Sequence, residues 1–247
     1  MKIKDLTFSY EDKKIFNNFN LEIPHGKVTC IMGASGGGKT TLLNCICSQL
    51  KYQGQILYGQ NGDNSLAQKR VAYVFQNPRL IPSLTVEENI DYVLPQSISK
   101  EQRKIKVDNI IKRMQLEDCA KSYPRYISGG QASRVSLARA LVVESDILLM
   151  DEPFKGLDIK LKKQILDILS GLIEGKTVVF VTHDIEEALS IADKVCVLDR
   201  SEGECIKMIG EEYIDCPRDV RDIYSPQYGE IRQRLHGCLI GDKTIAE

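Results

Sequence analysis

The stretch IMGASGGGKTTLL, Ile31 to Leu43, sets a cluster of glycines against Lys-Thr-Thr. Glycine loses more conformational freedom on folding than any other residue, so such a cluster suggests that something large must lie against bare backbone. Gly33, Gly38, Lys39 and Thr40 satisfy the spacing G-x-x-x-x-G-K-[ST], the pattern of a loop that cradles phosphates. Gly33, Ala34, Ser35, Gly36, Gly37, Gly38, Lys39, Thr40 and Thr41 are therefore the candidates for holding a chain of phosphates. Lys39 would reach the β- and γ-phosphates, and the Thr40 hydroxyl would ligate Mg²⁺. A second constellation is ILLMDEP, in which Asp151 and Glu152 close an apolar run. Adjacent carboxylates are an expensive choice for packing alone, because an unpaired buried charge is costly. Beside a metal the choice makes sense: Asp151 would hold Mg²⁺ and Glu152 would polarise an attacking water.

These groups need a strand, a tight turn and a helix in that order. Val28 to Met32 is a short apolar run of buried-strand type, and Leu42, Leu43 and Ile46 follow at helical spacing. Such a geometry aims backbone N–H groups and the positive end of the helix dipole into one concavity. Upstream, IKDLTFSYED and IFNNFNLEIP alternate like two antiparallel strands joined at Glu11 to Lys14. GQILYG and VAYVF predict two further strands around a turn at Gly59 to Asn64.

From Val86 to Ala140 the pattern turns helical, with a capping box at Ser99 and Gln102 and a core stripe of Ile105, Ile110, Ile111 and Met114. ILLM, TVVFVT and KVCVL then predict buried parallel strands. The helices between them start after Asp158, carrying Leu161, Ile165, Leu166, Leu169 and Leu172, and after Asp184, with a capping box to Glu187.

Bulk composition narrows the possibilities. The 247 residues suit one sizeable α/β domain, and 33 basic against 34 acidic residues leave a net charge of −1, so no whole-protein field recruits nucleic acid. No apolar run approaches a membrane span, and MKIKDLTFSY has no signal-peptide core, which predicts a cytosolic chain. The 8 cysteines contain no C-x-x-C, and His25, His183 and His236 stand outside metal-ligand spacing with them, so these read as reduced thiols.

YISGGQASRVSLARAL, Tyr126 to Leu141, places Ser128, Gly129, Gly130 and Gln131 at a second helix start. One nucleotide does not need two such devices from one subunit. The phosphate loop, this S-G-G-Q segment and the D-E-P strand, in that order, resemble the ATP-binding cassette (ABC) ATPases. That resemblance covers about Met1 to Arg200 and implies an α/β fold with a mainly parallel P-loop core, an N-terminal antiparallel β subdomain and an inserted α-helical subdomain. It implies one domain over 1–247, with 1–85 and 141–205 as the core, 86–140 as the helical signature subdomain and 206–247 as a short tail.

The resemblance also assigns roles. Gln76 in VFQNPRL is similar to the glutamine that meets water and metal, Asp158 in KGLD to the aspartate at the dimer interface, and His183 in VTHD to the histidine that senses the γ-phosphate. Tyr10 matches the aromatic that stacks on adenine, against the plain alternative of a half-buried strand residue. Ser128 to Gln131 and Asp158 would serve the nucleotide of a second copy in a head-to-tail dimer. Lys39, Gln76, Glu152 and His183 form the implied catalytic set, and Thr40, Gln76 and Asp151 the metal set. Three departures stand out: Ile127 where leucine is usual, Ser133 where glutamine is common, and Phe154-Lys155-Gly156 ahead of Asp158.

A single motif set without a long coiled coil points to a transporter subunit working on a separate permease at the cytoplasmic face of the membrane, with a solute-binding protein as indirect partner. VFQNPRLIPSLTVEENI and the tail CPRDVRDIYSPQYGEIRQRL resemble importers of nitrate, sulfonates, taurine and thiamine precursors. The alternatives are a soluble ABC ATPase acting on ribosomes or DNA, and an exporter motor. The tail's arginines, nearly balanced by acids, read as a solvated helical face rather than a nucleic-acid site.

Overall fold

The computed structural model describes residues 1–11, 13–59, 69–199, 205–218 and 221–240. Its elements run β1 (Lys2–Tyr10), β2 (Lys13–Glu22), β3 (Val28–Gly33), α1 (Lys39–Ile46), β4 (Gln53–Leu57), β5 (Val71–Val74), α2 (Val86–Asp91), α3 (Lys100–Arg113), α4 (Gly129–Val142), β6 (Ile147–Asp151), α5 (Ile159–Leu172), β7 (Thr177–Val181), α6 (Ile185–Ile191), β8 (Lys194–Asp199), β9 (Lys207–Tyr213) and α7 (Pro226–Ile240). One sheet has the order β2-β1-β4 and is antiparallel; the other has the order β5-β6-β7-β3-β8-β9 and is parallel except for β9. This mixture of parallel core, antiparallel subdomain and helical part is the expected fold class.

Buried on every residue, β3, β6 and β7 carry the continuous apolar runs that a sheet covered on both faces requires. Ile31, Leu149, Val179 and Val181 on one face share a core with Leu42, Leu43 and Ile46 of α1 and with Leu6, Phe16 and Leu21 of the small sheet, so α1 is buried between the two sheets. Cys30, Met32, Leu148, Met150 and Phe180 on the opposite face pack with the helices from α2 onward. Ile31, Val181 and Asp151 lie in one row across three strands. The carboxyl ends of β3, β6 and β7 therefore open at the same level, where ligands bind in open α/β sheets.

Several expectations are corrected. The strands in GQILYG and VAYVF do not pair, since β4 joins the small sheet and β5 the large one, and most of the turn between them lies outside the described residues. Ile105 is 55 % exposed, so the buried stripe of α3 is Val107, Ile110 and Ile111, with Met114 just after it. The Ser99–Gln102 capping box forms. At α6, by contrast, Asp184 caps the N–H groups of Glu186 and Glu187, while the Glu187 carboxylate turns inward to the Thr182 hydroxyl instead of closing a box. Residues 207–213 form an edge strand that pairs antiparallel with β8, so this part of the expected tail belongs to the main sheet.

Nor is the region after Cys216 a freely solvated face. Tyr228 and Leu235 of α7 are buried, and the Arg221 guanidinium donates to the carbonyls of Leu189 (2.8 Å), Ala192 (2.8 Å) and Cys216 (2.6 and 3.2 Å). Arg221 thereby satisfies carbonyls at the end of α6 that have no partner within the helix. Hydrogen bonds from a charged donor contribute roughly 1.5–3 kcal/mol. Arg221→Met should therefore lose about 2 kcal/mol and lower the melting midpoint by about 4–8 °C; an unchanged melting curve would mean that water replaces these bonds without loss.

Candidate nucleotide site

The glycine loop joins β3 to α1 with little room to spare. Gly33 has φ 149°, and a Cβ on it would stand 2.3 Å from the Leu198 carbonyl oxygen, so only glycine fits beside β8. Gly38 has φ 68° and ends the loop in the left-handed region just ahead of α1. Lys39 is buried, and its Nζ donates to the carbonyls of Gly33 and Ala34, both at 2.8 Å. An ammonium has three donors, so one remains beyond these two bonds. Burial pulls the Lys39 pKa down, opposed by the charges of Glu152 and Asp151.

Thr40 Oγ1 donates to Asp151 Oδ2 at 2.7 Å, joining the first turn of α1 to the end of β6. Asp151 is 4 % exposed, and burial raises its pKa above the ordinary 3.8, with the Thr40 bond opposing. A hydroxyl and a carboxylate side by side are hard oxygen donors of the kind Mg²⁺ prefers, so these residues fit that ion.

Glu152 leaves β6 with φ 45° while its N–H still donates to the Val181 carbonyl at 3.0 Å. A positive φ is strained for a side-chain-bearing residue and persists only where surroundings enforce it. The turn carries the carboxylate to three partners: Gln76 Nε2 donates at 3.3 Å, His183 Nδ1 lies 3.6 Å away, and Lys155 Nζ 3.2 Å away. The structure thus groups Gln76 and His183 with Glu152, and Thr40 with Asp151. Lys155 is the member that sequence reading missed; its departure from the family pattern and its i,i+3 spacing from Glu152 were the available signals.

The remaining candidates lie apart from this cluster or serve it locally. Tyr10 ends β1 with 46 % of its surface exposed, its ring edge-on to Phe8 at 4.7 Å. Ser128 caps α4 through a capping box with Gln131, accepting from the Gln131 N–H at 3.2 Å and donating its own N–H to Gln131 Oε1 at 2.8 Å. Asp158 caps α5 by accepting from the Leu161 N–H at 3.0 Å. These two helix starts adjoin, because a Cβ on Gly130 would touch Leu157 at 3.5 Å, whereas one on Gly129 would meet nothing within 4 Å. Ser133 Oγ donates to the Gly129 carbonyl at 3.1 Å, which absorbs that departure within the helix.

Residues 16–155 match the model of the ABC transporter family. The chain belongs to that family. Similar members include a Fe(3+) ions import ATP-binding protein of Fusobacterium nucleatum, 38 % identical over 89 % of this chain and 59 % of the relative. A probable sulfate/thiosulfate import ATP-binding protein of Chlorella vulgaris is 40 % identical over 80 % of this chain and 86 % of the relative. A spermidine/putrescine import ATP-binding protein of Pasteurella multocida is 40 % identical over 80 % of this chain and 55 % of the relative. The chain thus spans little more than half the length of the first and third of these ABC proteins.

Among solved structures, it superposes on the dimeric ATP-binding cassette MJ0796 in a post-hydrolysis state bound to ADP and Pi. The TM-score is 0.73 at 34 % identity, covering 86 % of this chain and 97 % of that one. A dimeric structure of the same bacterial ABC transporter cassette aligns equally well. The fold is that of an ABC ATPase. Among the described residues no helix is long and apolar enough to cross a membrane.

The raised pKa of Asp151 has a stability consequence. A folded-state pKa above the unfolded one favours folding below about pH 3.8, and that contribution is lost as pH rises through the folded value. At pH 7 the ionised Asp151 is therefore a penalty on the metal-free fold. Asp151→Asn should therefore melt higher than wild type in metal-free buffer at pH 7, with the gap closing as pH falls; a lower midpoint for the variant at pH 7 would contradict this.

Proposed function

We propose that the chain is the ATP-hydrolysing subunit of an ABC importer, working as a pair of copies on a separate permease. The observation that carries this reading is the convergence of Gln76, His183 and Lys155 on the Glu152 carboxylate, beside the Thr40–Asp151 pair and the Lys39 loop. A carboxylate turned out of a buried strand and surrounded by polar groups is placed to take a proton from water. In this reading water attacks the γ-phosphorus, its proton passes to Glu152, the bond to the β–γ bridging oxygen breaks, and ADP and phosphate leave. Gln76 orients the water, His183 holds the γ-phosphate, and Lys39 with the loop N–H groups of Gly33 to Thr41 meets the developing charge. Mg²⁺, held by Thr40 and Asp151 with Gln76 nearby, supplies charge neutralisation on the phosphates when bound.

Ser128 to Gln131 and Asp158 would complete the site of a second copy. Support comes from the solved dimeric relatives and from the open space beside Gly129 at the start of α4, where a helix N-terminus favours phosphate. Tyr10 would stack on adenine through its exposed face. The import function is carried over from the relatives' names, and with it a permease, a solute-binding protein and a place at the cytoplasmic face of the membrane. Within importers, VFQNPRLIPSLTVEENI favours a nitrate, sulfonate, taurine or thiamine-precursor cargo.

Glu152→Gln should lower ATP turnover by about 10²–10⁴-fold while ATP still binds. Turnover at the wild-type rate would remove Glu152 as the base. Ser128→Arg should leave nucleotide binding by single copies intact and abolish hydrolysis, measured by ATPase assay beside nucleotide titration; retained hydrolysis would argue against a site shared between copies.

A further inference from the structure

The side chain of His183 is 68 % exposed and meets Glu152 at 3.6 Å, so its own packing does little to aim the ring. The backbone on either side of it is held firmly. The Thr182 hydroxyl donates to Glu187 Oε2 at 2.5 Å and accepts the Asp184 N–H at 3.1 Å. Asp184 Oδ1 in turn accepts the N–H groups of Glu186 and Glu187 at 2.8 and 3.3 Å. Both carboxylates end on a single ammonium: Lys162 Nζ lies 2.8 Å from Asp184 Oδ2 and 2.7 Å from Glu187 Oε1.

This cluster is well shielded, with the Glu187 side chain 6 % and the Lys162 side chain 24 % exposed. Burial raises the Glu187 pKa, and the bonds from Lys162 and Thr182 oppose it. Without Lys162, two anions would face each other at the root of the His183 loop, an arrangement that is strongly destabilising in a shielded site. Lys162 also sits one turn into α5, where its own N–H donates to the Asp158 carbonyl at 2.8 Å. One side chain thus connects the start of α5 to Asp184 directly and, through Glu187, to Thr182, the two backbone neighbours of His183.

We infer that Lys162 is a positioning residue for His183, holding the imidazole against Glu152 by clamping Asp184 and Glu187. The kinetic part of the inference rests on the proposed ATP hydrolysis; the positioning itself does not. The chain has 3 histidines, so the ring signals of His25, His183 and His236 can be separated by NMR and assigned by single substitution. Lys162→Met should shift or broaden the His183 signal and leave the other two in place.

In parallel, kcat for ATP should fall about ten-fold with KM changed less than about two-fold, since misplacing a catalytic group acts mainly on the chemical step. Lys162→Arg should restore both readouts, and in a His183→Ala background Lys162→Met should cause no further loss. An unmoved His183 signal in folded Lys162→Met overturns the inference, as does an equal loss of kcat in the His183→Ala background. If Lys162→Met does not fold, Asp184→Asn, which keeps a good helix cap but weakens one arm of the clamp, takes the same spectral test. A wild-type chain without ATPase activity would sink the functional reading alone, and the ring signal would still decide the positioning.

Discussion

The hydrogen bond from Thr40 to Asp151 is the constraint around which the rest of the molecule is arranged. It joins residues 111 positions apart and fixes the start of α1 against the end of β6. It can form only if β3 and β6 sit with just β7 between them and end at one level, which their register with β7 provides. It also requires the loop after β3 to reverse within a few residues. Gly33, pressed against the Leu198 carbonyl, makes that possible and ties the same turn to β8. The cost is a carboxylate with little water around it, and the raised pKa of Asp151 records that cost. A protein selected for stability alone would not place a charge there; a protein that binds a cation there has reason to.

The second feature is that the side chains of the candidate site are aimed by backbone more than by packing. Glu152 reaches its partners because the chain turns through a positive φ immediately after a buried strand. His183 projects from a loop whose flanking residues are bonded to α5 and α6. Side chains held in this way keep a free face while their positions remain fixed, which a site meant to receive a large ligand needs. The far end of α6 is held by Arg221, so the closing segment of the chain also supports the element that begins beside His183.

Much of this was legible in residue order. The loop could be read because its geometry is local: glycine spacing, a buried strand before it and a helical stripe after it describe one continuous turn. The Ser99 capping box was legible for the same reason, since both partners lie within one helical turn. The misses are equally physical. β9 has no fully buried face, so its alternation carries no signal, and its pairing with β8 is a matter of edge hydrogen bonds. Ile105 has the right residue type at a plausible spacing, but α3 turns it outward. Glu187 had the spacing of a capping box, yet a buried hydroxyl and an ammonium from another helix were better partners than its own helix end.

By itself the sequence determined the parts whose atoms are neighbours along the chain: the phosphate loop, the helix starts, the buried strands and the acid pair at a strand end. Strand order and long-range partnership were decided only by the tertiary structure. Period-two alternation says that a segment is a strand without saying which sheet receives it, and β4 and β5 separated on that ground. The polar contacts of Glu152, Lys162 and Arg221 likewise join residues brought close by the fold, and an ionic or hydrogen-bonded partner leaves no periodic trace in residue order.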